Sequence, residues 1–151
     1  MRLTTFTDYS LRTLLYLAMN RDRLVTIQDI ADTHNISKNH LMKVVYQLGI
    51  TGYIDTLRGR NGGLRLKVEP SDINLGAVVR ATETDFNMAD CFSPSSNTCP
   101  LAANCKLKNA LGTATSAFLA SLDTQTLAML LPEPQGQVTA PVNFYRATAA
   151  A

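Results

Sequence analysis

The chain contains three cysteines, Cys91, Cys99 and Cys105, spaced C-x7-C-x5-C within one short stretch. Thiolates gathered in a loop suit a soft metal centre, and an iron–sulfur cluster is the chemistry this pattern points to. Pro94, Pro100 and the intervening Ser and Asn residues deny the stretch a packed helix or strand, so something other than an apolar core must order it. Three thiolates leave a fourth position for oxygen, solvent or a small thiol; Glu83, Asp85 and Asp90 are the nearby carboxylates. Zinc is the main rival, although its modules usually show closer cysteine pairs and four protein ligands. A redox-active thiol set and plain structural cysteines are the other readings. An odd cysteine count argues against a disulfide framework and suits a reducing, cytoplasmic setting.

The elements that must position this loop are legible in charge and periodicity. Residues 1–67 carry ten Lys and Arg against five Asp, whereas residues 68–151 carry four against seven Asp and Glu. The basic half is the candidate polyanion surface. Thr7 is placed to cap a helix over about residues 8–20, with Leu11, Leu14, Leu15 and Ala18 as its apolar face. Thr26 opens a second helix over about 27–34, with Val25 and Ile30 as a hydrophobic staple and Asn35 as a left-handed stop. Ser37 opens a third almost at once, with Ile36 and Leu41 as its staple. Two helices joined so tightly form a helix-turn-helix candidate. Leu41, Val44, Val45 and Leu48 face inward, leaving Lys38, Asn39, His40, Lys43 and Gln47 to meet phosphates and base edges. An ordinary helical hairpin with a solvated face is the plainer alternative.

The following residues favour DNA. Residues 54–58 and 64–68 read as a β-hairpin closed through Asn61-Gly62, with Leu64, Leu66 and Val68 on one face and Arg65 and Lys67 on the other. A hairpin here, tipped by Arg58, Arg60 and Asn61, is a wing whose arginines suit a minor groove. Its glycines do not make a nucleotide-phosphate loop, because no Lys-Ser/Thr and no helix follow. A fourth helix is expected over about 72–82, with Ile73, Val78 and Val79 in the core. Another runs over about 105–122. There Leu107, Leu111, Ala114, Phe118 and Leu122 form a near-heptad seam, flanked by small residues, that fits a dimer helix. Asp123 or Thr124 would cap a last short helix ended by Pro132, and the remaining tail has no periodicity.

The fold class is therefore mainly α with a small β-hairpin. A winged helix-turn-helix domain (1–82) is followed by a cysteine-rich loop (83–105), a dimerisation helix with a terminal short helix (106–131) and a disordered tail (132–151). No run reaches the roughly 18 apolar residues a membrane span needs. Nothing supports an enzyme: no Ser/Cys–His pairing lies outside the DNA-binding segment, and no carboxylates converge.

The sequence resembles the NsrR group of nitric-oxide-responsive repressors, within a larger family of iron–sulfur winged-helix regulators. The likeness covers about residues 1–131. It rests on Leu3-Thr4-x-Phe6-Thr7-Asp8-Tyr9-x-Leu11-Arg12, on Asn39-His40-Leu41-x-Lys43, on Arg58-Gly59-x-Asn61-Gly62-Gly63, and on Cys105-x-Leu107-Lys108-x-Ala110-Leu111 with the other two cysteines. The resemblance implies a homodimeric repressor of nitric-oxide detoxification genes that binds operator DNA. Its cluster would sit on Cys91, Cys99 and Cys105, with Asp8 of the partner subunit as fourth ligand. A 4Fe-4S cluster is expected, with 2Fe-2S as the alternative. From the residues alone, Asp8 suits a helix start and an ion pair with Arg12 four residues on. Both readings hold together if Arg12 exchanges partners when the cluster is lost. A winged-helix regulator answering to iron–sulfur status, redox state or a thiol metabolite is the alternative function.

Overall fold

A computed structural model describes residues 2–93, 99 and 104–132. The elements run α1 (Thr5–Met19), α2 (Ile27–His34), α3 (Lys38–Ile50), β1 (Ile54–Leu57), β2 (Gly63–Leu66), α4 (Leu75–Thr82) and α5 (Lys106–Asp123), with 3-10 turns at Pro70–Asp72, Asp90–Phe92 and Leu127–Leu130.

Helix α1 starts three residues earlier than spacing predicts. Thr4, not Thr7, is the cap, its hydroxyl accepting the Thr7 N–H at 3.3 Å. Thr7 is instead buried in the first turn. The buried face is Thr7, Ser10, Thr13, Leu14, Leu17 and Ala18, so it is rotated from the expected leucine stripe, and Leu11 and Leu15 are only partly covered. Small hydroxyl residues let neighbours come close, and Ser10 satisfies its own hydroxyl by donating to the Phe6 carbonyl at 2.8 Å.

The helix-turn-helix follows the sequence closely. Thr26 and Asp29 cap α2 reciprocally, at 3.1 Å and 3.0 Å. The Thr26 backbone N–H, then Arg23, hold the Asp29 carboxyl below its usual range. Asn35 is left-handed at φ 52°, and Ile36 donates back to the Ala31 carbonyl at 3.0 Å. Ser37 then caps α3. Val25, Ile30, Ile36 and Leu41 are all buried, so both staples close.

Strands β1 and β2 pair antiparallel from Ile54 opposite Leu66 to Leu57 opposite Gly63. The strands are shorter than expected, and the five connecting residues are 58–62 where the sequence suggested 59–63; the positive φ falls at Gly59 (116°) rather than at Asn61-Gly62. The loop closes through the Gly62 N–H to the Gly59 carbonyl at 3.0 Å. Val25 bridges Leu64, fastening the hairpin to the start of α2.

The predicted 72–82 helix is split. Ile73 is extended, and α4 starts afresh at Leu75 with Asn74 as its cap. The extended residue gives the C-terminal segment a backbone partner: Leu127 donates to the Ile73 carbonyl at 2.8 Å, and Leu75 to the Gln125 carbonyl at 3.0 Å. Asp123 and Thr124 open no helix. Asp123 ends α5 in a two-pronged pair with Arg80, at 2.5 and 2.7 Å. Gly76 lies directly beneath, where any Cβ would strike the Asp123 carboxylate. Beyond, Leu127 is fully buried in the same core cluster as Leu14, Leu17, Ile30, Leu41 and Val78. Residues 133–151, most of the expected disordered tail, lie outside the described residues.

The left-handed turn is directly testable. Asn35→Gly should leave stability nearly unchanged, whereas Asn35→Val should cost about 1–2 kcal/mol, the penalty of a left-handed L-residue, in urea unfolding.

Candidate nucleic-acid interface and thiol loop

Helix α3 packs through Leu41, Val44, Val45 and Leu48, none more than 7% exposed. Lys38, Asn39, His40 and Lys43 consequently stand in solvent, whereas Gln47 is half-buried rather than outward. Helical geometry sets Asn39, Lys43, Tyr46 and Ile50 on one outward ridge, with Met42 beside it. Tyr46 and Met42, 71% and 51% exposed, are surface residues that the sequence reading passed over because their types suggest core.

The wing tip carries Arg58, Arg60 and Asn61, all exposed. Among the described residues Lys38, Lys43, Arg58 and Arg60 enter no ion pair, leaving their charge for an external polyanion. Arg12, Arg21, Arg23, Arg65 and Arg80 each face a carboxylate. Arg65 therefore adds less to a basic face than its alternation suggests, being 3.6 Å from Asp55 across the hairpin. Between recognition helix and wing runs an open groove of about 490 Å³, lined by Lys38, Asn39 and Met42, by Thr56 and Leu57, and by Thr26 and Gln28 at the start of α2. Thr26 and Gln28 are further interface candidates that only the fold brings to this face.

Helix α1 touches the recognition helix directly: the Tyr9 and His40 rings lie 6.1 Å apart. One residue before Tyr9, Asp8 accepts from Arg12 at 3.0 Å, the ion pair expected from their spacing. Asp8 and Arg12 open onto a cavity of about 520 Å³ that also reaches His34 and Asn35, the turn of the helix-turn-helix. His34 stands edge-on to Tyr16, and among the described residues its buried Nε2 has no hydrogen-bond partner. Burial, then the Arg12 charge, hold its pKa below the usual imidazole value, with Asp8 opposing.

The thiol loop is rooted at both ends. At its start, Glu83 accepts from the Thr4 backbone N–H at 2.7 Å and from its hydroxyl at 3.2 Å, tying the loop to the head of α1. At its end, Cys105 caps α5, its Sγ accepting the Lys108 N–H at 3.4 Å. Phe92, next to Cys91, lies under the Lys108 ammonium and against Gly112. The Cys91 turn is thereby held on the first turns of the helix that Cys105 begins. Cys91 and Cys105 are half-buried free thiols, and Cys99 is exposed. Among the described residues no three His, Cys, Asp or Glu side chains already converge as a metal site. Asp85 and Asp90 are exposed.

The model of the Rrf2 family, described as an iron-dependent transcriptional regulator, matches residues 3–133. The chain belongs to the Rrf2 family. The HTH-type transcriptional regulator NsrR of Bacillus licheniformis is 56% identical over 128 residues, covering 84% of this chain and 90% of that protein. The NsrR regulator of Bacillus subtilis is 53% identical over 132 residues, covering 87% and 90%. The group named by these relatives is the one the sequence motifs resemble. A crystal structure of a transcriptional regulator from Listeria innocua superposes with a TM-score of 0.72 at 25% identity, covering 97% of each chain. Rrf2 proteins are transcriptional regulators and not enzymes, in accord with the lack of catalytic groupings in the sequence. No helix among the described residues is long and apolar enough to cross a membrane.

For an Rrf2 regulator with this charge layout, Lys43→Ala and Arg60→Ala should each weaken duplex binding. Each should also flatten the plot of log affinity against log salt by roughly 1 for every phosphate left without its cation, from a slope of about −7 when eight phosphates are neutralised. Fluorescence anisotropy across a salt series checks this.

Proposed function

We propose that this chain is a homodimeric repressor that holds operator DNA while an iron–sulfur cluster is bound and releases it on exposure to nitric oxide. The observation that supports this most is the rooting of the thiol loop. One end ties to the head of α1, the other begins α5, and the Cys91 turn packs on that beginning. A soft, all-thiol donor set in a segment without an apolar core fits an iron–sulfur centre held by Cys91, Cys99 and Cys105, with Asp8 of the partner subunit completing it. When bound, the group supplies iron that nitric oxide can ligate.

The chain's own residues would do the rest. Asp8 pairs with Arg12 within one chain. Recruiting Asp8 elsewhere would leave Arg12 without its carboxylate, beside His34 and the Asn35 turn. The same change would shift the first turns of α1, whose Tyr9 rests on His40 of the recognition helix. Half-sites are read about 34 Å apart, so a small displacement in each subunit weakens the grip on one of them. Cys105 at the α5 cap gives its sulfur a backbone hydrogen-bond donor, the kind of interaction that tunes a thiolate ligand.

The dimer would form along α5, none of whose residues is buried within one chain. Its seam residues Leu107, Leu111, Ala114, Phe118 and Leu122 would close against a second copy.

Anaerobically purified protein should be brown, with broad absorption near roughly 400 nm, as expected of a thiolate-held iron–sulfur centre. That absorption should bleach under nitric oxide as operator is released. Cys105→Ser should be colourless and Asp8→Ala should respond altered. An Asp8→Ala protein that assembles and answers identically removes the bridging role. A coloured protein indifferent to nitric oxide but responsive to iron–sulfur supply, redox potential or a thiol metabolite makes it a regulator of that other signal.

A further inference from the structure

We propose that Met42 reads the C5 methyl group of a thymine in the operator's major groove. This rests on α3 being the recognition helix and adds a specificity-determining residue to it. Helix α3 buries its other aliphatic residues from Leu41 to Leu48 almost completely, yet Met42 is 51% exposed. It lines the groove between helix and wing together with Ile27 and Leu57, and no residue lining that groove is acidic. Lys38 supplies positive charge at its rim, and Arg58 and Arg60 follow Leu57 on the wing. An apolar strip in a groove with no acidic lining, flanked by Lys38 and the wing arginines, matches DNA rather than a protein helix.

Of the base-edge groups in the major groove, the thymine methyl is the one that is apolar. A methionine suits it, because an unbranched, polarizable side chain adapts to a small apolar target. Asn39 lies three positions earlier, on the same side of α3, and lines the same groove. Its amide can pair with adenine, so the two side chains together select an A·T-containing step.

The test begins with selection of a preferred duplex from a random library by the full-length protein. Each thymine of that duplex is then replaced by deoxyuridine, which deletes only the methyl group, and affinity is read by anisotropy. Wild type should lose about fourfold at one thymine per half-site, the worth of one buried methyl. Met42→Ala should bind thymine and uracil duplexes equally, Met42→Leu should keep the discrimination, and Tyr46→Ala should keep it too. Circular dichroism and salt slope should match wild type in all three, since both side chains are exposed. Uniform binding of every deoxyuridine duplex by wild type overturns the proposal, as does discrimination that survives in Met42→Ala. If selection enriches no sequence at all, it is the reading of α3 as recognition helix that falls.

Discussion

Burial of one face of α1 is the constraint on which the remainder of the structure depends. That helix packs on α3, α4, the hairpin and the Leu127 turn at once. Its packed face combines Leu14 and Leu17 with Thr7, Ser10 and Thr13, small enough to let these neighbours approach closely. Interiors packed this tightly transmit displacement rather than absorb it. Thr4 at the head of the helix meets the thiol loop through Glu83, and Tyr9, little more than a turn later, meets the recognition helix. Loop and DNA-reading surface are thus separated by about one turn of one rigid element.

Against that rigidity, the Asp8–Arg12 pair is soft. Both side chains are nearly half exposed, 44% and 48%, and exposed i,i+4 pairs contribute below about 1 kcal/mol. An aspartate bound so weakly can change partner without destabilising the fold. The end of α5 is joined to α4 at more points: Arg80 donates twice to the Asp123 carboxylate, and the Asn74 amide donates to the Asp123 carbonyl.

The helix-turn-helix was readable from sequence nearly to the residue, because caps, staples and a left-handed Asn are local signals: Thr26, Asn35, Ser37 and Ile36 carry their geometry in their types. The wing was readable as a hairpin, but the conformation of its turn was not, since the left-handed residue is Gly59 and not the Asn-Gly pair. The face of α1 was misjudged because hydroxyl residues pack there as small spacers, which periodicity of apolar residues cannot register. The C-terminal return was also invisible. Leu127 looks like any leucine in a short helix, and only the extended Ile73 backbone, a partner 54 positions away, gives it a place. Among the candidate interface residues, Lys38, Asn39, His40, Lys43 and the wing arginines were named from charge and position, and the fold leaves them all in solvent. Met42 and Tyr46 drew no notice, because exposure of an apolar type has no sequence signature.

The Arg80–Asp123 joint over Gly76 gives α5 a mechanical character. An 18-residue helix is about 27 Å long, and this one is pinned at Asp123 while its opposite end carries Cys105. If it swung as a lever about that joint, a tilt of only about 4° would sweep the cysteine end through roughly 2 Å, and a coarse rearrangement of the thiol loop would reach α4 as a fine rotation. Length, and not only chemistry, would then set how finely the loop's state is graded at the other end of the arm.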